Sequence, residues 1–417
     1  MSPRSLDKRY RGISRRTRED GDQSDRGARA LKLHDHVKIL SQKHRGAGTR
    51  EEREARDYIV RELESYGYKP SISVFPTPPT FSHTYITIYL ALALSPLIAL
   101  AGFRGIGVVL ALAGLALLIL EEELYIPLLT RLYGHLWGRE TANIVVEIGT
   151  GSETIVLTAH YDSTKAAYSF NPTRVHRLGL TIKLNFASSI IVVFLTIAGS
   201  LLNSPSILIA SFIASAPLLI STIILIHREL FHNYVPGAND NASGVAVLLG
   251  VAESLAKGFE DDKNKARIII AFTGAEEVGL LGSHHLYREK QEVLRNSIVI
   301  NIDNPGIGDL AFTECEGTIL TWCSHEEFRK IVREFSTLKG IRTVTYKLLP
   351  TDATPLMRMG LRATSLMAFI NGMIGNYHWY SDTTDKVNPE NLEKAKTLVL
   401  DLLTILTKDR RSLYTEQ

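Results

Sequence analysis

Residues 184–226 contain no Asp, Glu, Lys, Arg or His, a run about twice the ~20 apolar residues that cross a bilayer. Asn203-Ser204-Pro205-Ser206 sits near its middle and supplies a turn, so the run reads as a helical hairpin. An earlier block repeats the pattern: residues 84–103 are uncharged, Arg104 stands alone, and 105–120 are uncharged again. A buried core hairpin or a surface-lying helix is the alternative. These runs are apolar on all faces, however, rather than along one stripe. The 45% hydrophobic content and near-zero mean hydropathy, +0.03, conceal this segregation. Two inserted transmembrane helical hairpins, 84–133 and 179–227, are therefore expected, with four spans in contact with membrane lipid.

The rest of the chain alternates like an α/β protein. Residues 1–29 are rich in Arg, Asp, Ser and Gly and predict a disordered arm, whose arginines (Arg4 to Arg18) suit either an anionic membrane surface or plain solvation. Their charge predicts no signal peptide. Apolar spacing predicts helices over 31–40 and 49–66, the second with Thr49 and Glu52 as a capping box. A strand over 71–75 is expected to stop at Pro76. Further strands are predicted over 143–147, 154–159, 267–272, 298–302 and 364–369, with helices over 243–257, 326–337 and 391–407. The net charge of +3 is too small to argue for nucleic acid. Two cysteines, Cys315 and Cys323, favour a reducing compartment while leaving room for one local bridge.

If the flanking strands share one sheet, each hairpin must leave and return on the same side, which two spans apiece satisfy. The far connections carry only Arg104, whereas the near side carries Arg131, Arg139, Arg174, Arg177, Lys183 and Arg228. The positive-inside rule thus puts the soluble part on the cytoplasmic side.

Candidate chemistry gathers at strand ends. Gly237-Ala238-Asn239-Asp240-Asn241-Ala242-Ser243-Gly244 is a small-residue turn with one acid, suited to a carboxylate shared between two metal ions or to an ordinary helix cap. The strand at 154–159 runs into His160-Tyr161-Asp162, where Asp162 points to the same side as His160 and could orient it as a ligand; a surface histidine is the bland reading. Glu276 and Glu277 follow the strand at 267–272. Adjacent acids in an apolar setting suit a general base and a ligand, or simply a solvated helix start. Asp303 ends the strand at 298–302, and the late loop 376–382 supplies Tyr377 and His378. Ligands of open α/β sheets collect at the carboxyl ends of strands, so these positions converge. Asp240, Glu277 and Asp303 with neutral His160 and His378 nearly balance two Zn²⁺ and a hydroxide. Oxygen and imidazole donors without thiolate fit zinc, with Mn²⁺ or Co²⁺ as substitutes.

In order and context, Thr158-Ala159-His160-Tyr161-Asp162-Ser163, Pro236 to Gly244 and Thr273 to Ser283 resemble the co-catalytic di-zinc aminopeptidases, a family that includes bacterial leucyl aminopeptidase, glutamate carboxypeptidase and the metal-free transferrin receptor. The resemblance runs over about 31–407, interrupted by both hairpins. It implies a three-layer helix-sheet-helix zinc exopeptidase fold with a mixed sheet, assembled discontinuously from 30–83, 134–178 and 228–410. By the same resemblance Asp240 bridges two zincs, His160 and Asp303 complete one, and Glu277 and His378 complete the other. Glu276 becomes the general base, Asp162 the partner of His160, and Tyr377 a donor to the tetrahedral intermediate. A cis peptide between Asp240 and Asn241 is also implied. Soluble relatives lack the hairpins, so the resemblance does not extend to the route by which substrate enters.

The expected activity is a membrane-anchored, zinc-dependent exopeptidase of aminopeptidase type acting on peptides. A glutaminyl cyclase-like enzyme with fewer metals and a metal-free receptor or scaffold are the rivals. A transporter is disfavoured because the spans hold no ionisable residue. Anchoring, homodimerisation or admission of amphipathic substrates are uses open to the hairpins. Asn241-Ala242-Ser243 fits a glycosylation sequon that would obstruct the site, Thr351 to Pro355 fits a substrate-pocket loop or a plain turn, and Asp382 and Asp385 read as loop-stabilising acids.

Overall fold

The computed structural model describes residues 23–258 and 266–408. Most of the expected arm, 1–22, lies outside the described residues. Within them stand nine strands: β1 (Ser71–Thr77), β2 (Arg139–Ile148), β3 (Glu153–His160), β4 (Ala266–Thr273), β5 (Ile298–Ile302), β6 (Asp309–Gly317), β7 (Thr321–Cys323), β8 (Arg342–Tyr346) and β9 (Arg362–Phe369). They form one mixed sheet in the order β1-β2-β4-β3-β5-β9-β6-β7, with β8 on β6. The central strands β4, β3, β5 and β9 are parallel, and antiparallel pairs flank them on both sides.

Alternation along the central strands builds two cores. Ile155, Leu157 and Ala159 of β3, with Ile268, Ile270 and Phe272 of β4, face one layer; Val156, Ile269 and Ala271 face the other. Strands buried on both faces read as nearly continuous apolar runs, which is why they were legible. The larger layer contains the Gln23–Leu40, Arg50–Ser65, Gly244–Gly258 and Pro389–Lys408 helices. The smaller contains the short Leu281–Glu289 and Thr354–Arg358 helices.

Three local expectations change. The first helix begins at Gln23, so the last residues assigned to the arm are helical. Strand β1 continues through Pro76 to Thr77, because it is an edge strand paired only with β2 and a missing N–H can face outward. The capping box is half made: Thr49 Oγ1 accepts from Glu52 N, but Glu52 turns its carboxylate to Gly48 N and Thr141 Oγ1. Cys315 and Cys323 face each other across β6 and β7 and are joined in a disulfide. The bridge weighs against the reducing compartment expected from the cysteine count.

The apolar blocks form helices Ser82–Leu100, Arg104–Leu118 and Leu178–Leu201, then a pair, Pro205–Ala214 and Ala216–Phe231, bent by 43°. Among the described residues, three helices are long and apolar enough to cross a membrane, or up to four if the bent pair is one span. Pro217, in the first turn of the second member, accompanies the break. Small residues bring the helices together: a side chain at Gly107 or Gly114 would meet Ala99 or Leu92 at 2.8 Å. The outward side stays apolar, with Phe194 69% and Leu201 77% exposed.

Candidate active site

Strand β3 ends at His160, β4 leads into Glu276 and Glu277, and β5 hands on to Asp303, so the parallel strands deliver four of the candidate residues to one edge. The turn at Asp240 and the loop bearing His378 come in from outside the sheet. Two buried triads result, His160–Asp240–Asp303 and Asp240–Glu277–His378, each with ligand-type atoms within 4.8 Å of one another. Asp240 belongs to both. Its Oδ1 lies 3.3 Å from His160 Nε2, and its Oδ2 lies 3.0 Å from His378 Nε2. His160 Nε2 is 3.5 Å from Asp303 Oδ1, and His378 Nε2 is 3.2 Å from Glu277 Oε2.

These spacings suit cations. Donors about 2.0–2.1 Å from a tetrahedral zinc stand about 3.3 Å apart, close to every separation above. Asp240 Oδ2 and Glu277 Oε1 are buried without a hydrogen-bond partner, an arrangement that is costly unless a cation faces them. Burial disfavours charged imidazoles here, yet Glu277 and Asp240 raise His378 to about 9, and Glu276, Asp162, Asp240 and Asp303 raise His160. Burial alone would push Asp240 up, but the two histidines hold it well below the ordinary carboxylate range. The negative charge of the pocket thus draws positive charge to the point where the two triads meet.

The turn itself is built to present Asp240. Gly237 adopts φ +64, and a Cβ there would sit 2.4 Å from Asp240 O, so only glycine fits. Asp240 and Asn241 are non-helical, the bond between them is cis, and regular helix starts only at Gly244. Asp382, read from sequence as a loop-stabilising acid, accepts from Asn239 N at 2.7 Å and Asp240 N at 3.0 Å. Asn241 is fully buried, donating to Ile302 O and accepting from Gly244 N and Asn304 N, which leaves no room for a glycan.

Asp162 is placed differently from expectation. Its Oδ1 is 3.5 Å from His160 Nδ1, at the edge of contact, while its oxygens accept Glu276 N at 3.0 Å and Glu277 N at 3.1 Å. It anchors the acid pair more closely than the histidine. Glu276 remains partly exposed and lines a cavity together with Glu277, Tyr377 and His378. Burial, with Glu277 and Asp352 nearby, raises the Glu276 carboxyl well above its usual range despite His160. The Tyr377 ring stacks on His378 at 3.8 Å. Asp352, in the loop 351–355, accepts from Thr273 Oγ1 at the end of β4.

Two supporting residues escaped the sequence reading. Arg45 is buried and donates to the carbonyls of Leu40, Tyr161, Pro236 and Gly237, tying the β3 end to the Asp240 turn. Asn304 donates to Asp240 Oδ1 at 3.2 Å and Asp303 Oδ1 at 2.6 Å. Neither lies in a pattern that local periodicity or spacing would flag. Asn304 at least follows a singled-out strand end.

Residues 224–403 match the family described as "Peptidase family M28". That segment contains Asp240, Glu276, Glu277, Asp303 and His378, and it begins inside the last apolar helix. The aminopeptidase YwaD of Bacillus subtilis (strain 168) is 44% identical over 75 residues, 18% of this chain and 16% of that relative. Solved structures share the fold at low identity. An aminopeptidase from Aneurinibacillus sp. strain AM-1 aligns with TM-score 0.52 and 14% identity, covering 90% of this chain and 93% of that one. A Zn-dependent exopeptidase from Parabacteroides distasonis aligns at TM-score 0.50 and 13% identity over 90% and 97%. The glutaminyl cyclase of Porphyromonas gingivalis aligns at 0.51 and 14% over 90% and 98%.

Proposed function

Since the chain carries a peptidase family M28 region over residues 224–403, we propose that it is a membrane-anchored zinc exopeptidase of aminopeptidase type. The observation that carries this reading is the pair of triads sharing Asp240. They would hold two ions, with Asp240 between them, His160 and Asp303 on one side, and Glu277 and His378 on the other. Zinc, when bound, supplies Lewis acidity toward a peptide carbonyl and lowers the pKa of water. Glu276, its carboxyl raised above the usual range by burial and open to the cavity, takes the proton of the attacking water and returns it to the leaving amine. Tyr377, in the same cavity wall, donates toward the developing oxyanion. Asp162 holds the Glu276–Glu277 turn by its two backbone N–H groups.

The peptidase domain is drawn from 30–83, 134–178 and 228–410, with hairpins 84–133 and 179–227 anchoring it. Zinc counting separates this reading from cyclase chemistry, which calls for about one ion per chain. Turnover of aminoacyl and blocked peptides by detergent-purified protein, with and without chelator, tests the activity. Cleavage of unblocked peptides only, abolished by chelation, is expected; cleavage of blocked peptides alone would refute the aminopeptidase assignment. Glu276→Gln is expected to keep its metal and lose nearly all turnover.

A further inference from the structure

Glu316 on β6 is a fully buried carboxylate that the proposed chemistry does not use, and it has no basic partner among the described residues. Three hydroxyls satisfy it instead. Thr313 Oγ1 donates to its Oε1 at 2.6 Å, while Thr351 Oγ1 and Thr354 Oγ1 donate to its Oε2 at 2.7 and 2.6 Å. Thr351 and Thr354 belong to the segment 349–355, whose Leu349 and Pro350 line the cavity together with Glu276, Glu277 and His378. The same segment is tied to the end of β4 through Asp352 and Thr273, and Thr273 is the register partner of His160. From Thr351 a buried polar chain crosses the sheet. Thr351 Oγ1 meets Ser365 Oγ at 2.9 Å, Asn301 Nδ2 donates to Ser365 Oγ at 3.3 Å, and Thr158 Oγ1 donates to Asn301 Oδ1 at 3.0 Å. Thr158 and Asn301 stand two residues before His160 and Asp303, so strand alternation puts them on the side of the sheet that carries those candidate ligands.

A carboxylate only accepts hydrogen bonds, whereas each hydroxyl has one proton to give. Having donated to Glu316, Thr351 must accept from Ser365, and its oxygen also accepts Ala353 N at 3.1 Å. Ser365 in turn accepts from Asn301. Every proton from Thr158 to Glu316 therefore points one way, and the same rule makes Thr354 Oγ1 the acceptor of Thr351 N at 2.8 Å. Burying a charge without a cation is costly where an apolar side chain would fill the same space. What the carboxylate adds is this single arrangement. Resting on the exopeptidase reading above, we propose that Glu316 is a positioning residue, which holds the segment 349–355 against the candidate site and so fixes the cavity wall that a substrate meets.

The test uses the full zinc-loaded chain in detergent, with hydrogen exchange over residues 349–358, zinc content, thermal unfolding and kinetics on an unblocked leucyl 4-nitroanilide measured on each variant. Glu316→Gln puts donor protons where three hydroxyls already donate. Exchange over 349–358 is expected to quicken about tenfold, the scale of one hydrogen bond to a charged group. KM is expected to rise about tenfold with kcat within about threefold and zinc retained, the pattern of lost binding rather than lost chemistry. Glu316→Asp, which keeps the charge, should recover part of the KM. Two single-hydroxyl variants keep the inference testable where Glu316→Gln folds poorly: Thr354→Val, on the segment, should raise KM, whereas Thr313→Val, on β6 beside the same carboxylate, should leave KM unchanged. Equal effects of Thr313→Val and Thr354→Val on KM, or a Glu316→Gln protein that loses Tm while exchange and KM stay at wild-type values, overturn the positioning role. Absence of turnover in the wild-type chain refutes the exopeptidase reading and the kinetic role with it; unchanged exchange over 349–358 in an active protein refutes this inference alone.

Discussion

Replacing Arg45 with Met should both destabilise the protein and loosen its metal site, although Arg45 touches no candidate ligand side chain. The guanidinium is buried and makes four hydrogen bonds to carbonyls at 2.7–2.8 Å, from Nε to Tyr161, Nη1 to Leu40 and Pro236, and Nη2 to Gly237. Burial lowers its pKa to about 10, with Asp382, Asp162 and Asp240 opposing, so it stays charged near neutral pH. Hydrogen bonds from a charged group are worth about 1.5–3 kcal/mol each, but they are not additive and desolvation of the ion offsets part of the sum. Removing one partner of a buried charged network typically costs about 3–5 kcal/mol, and we take that as the expected loss. At about 2–4 °C per kcal/mol for a large domain, this lowers Tm by roughly 10 °C. Pro236 and Gly237 lead into Asp240, and Tyr161 lies between His160 and Asp162, so zinc affinity should fall about 10–100-fold as for lost outer-shell support. Arg45→Lys, which keeps the charge but not the fork, should lie between. Thermal unfolding and zinc titration of detergent-purified variants measure both quantities. An Arg45→Met protein with wild-type Tm and zinc affinity would refute the assignment of Arg45 as the clamp on the turn.

Other consequences are equally open to measurement. Asp240→Asn should abolish binding at both triads, whereas Asp303→Asn should weaken one; metal analysis showing equal loss would contradict a shared Asp240. Gly237→Ala should cost about 1–3 kcal/mol and reduce metal content, since it forces a side chain into a left-handed, occupied position. Glu253 is pushed up by burial but carried down to about 2 by Lys257 and Lys32. Its contribution is therefore present above pH about 4.5 and fades as pH falls toward 2; discounted for screening it is about 1 kcal/mol. Unfolding of Glu253→Gln should converge with wild type in acid, and a gap that persists at pH 2 would contradict this. Cysteines placed at Arg104 and Asn203 should react only from the side opposite the catalytic domain, and labelling from the same side would overturn the two-hairpin topology.

The parallel core and most of the candidate site were legible because each rests on a local pattern. Short β-branched runs such as 298–302 read as buried strands by their length and composition, and the acids and histidine follow directly at their ends. Other features depend on context that sequence does not carry. Pro76 belongs to a strand because that strand happens to be the sheet edge. Arg45 sits in a polar stretch that reads as a surface loop, and its guanidinium is satisfied by four carbonyls, one from the nearby Leu40 and three from two distant segments. The bend between Pro205–Ala214 and Ala216–Phe231 did have a signal, Pro217, which uniform hydrophobicity obscured. The compartment is the point where the two lines diverge: basic flanks favour the cytoplasmic side, and the Cys315–Cys323 bridge favours an oxidising one.

The placement of the hairpins explains how the sheet can accept them without losing the candidate site. The first leaves after β1 and returns into β2, whose end residues Thr77 and Arg139 are paired, so its two stems are adjacent where they join the sheet. The second leaves after β3 and returns just before the Asp240 turn, and an isolated bridge between Lys165 and Tyr234 holds its stems together. Arg228 and Glu229 then fasten one hairpin to the other. Arg228 donates to Ser82 Oγ and Thr164 Oγ1, while Glu229 accepts from Thr80 Oγ1 and Lys165 Nζ. Each insertion is closed at its base, and an odd number of crossings in either would separate stems that are paired. Both bases also lie beside segments that carry His160 and Asp240. The apolar helices are therefore fixed against the candidate site, and the cavity they share with it follows from where the chain was interrupted.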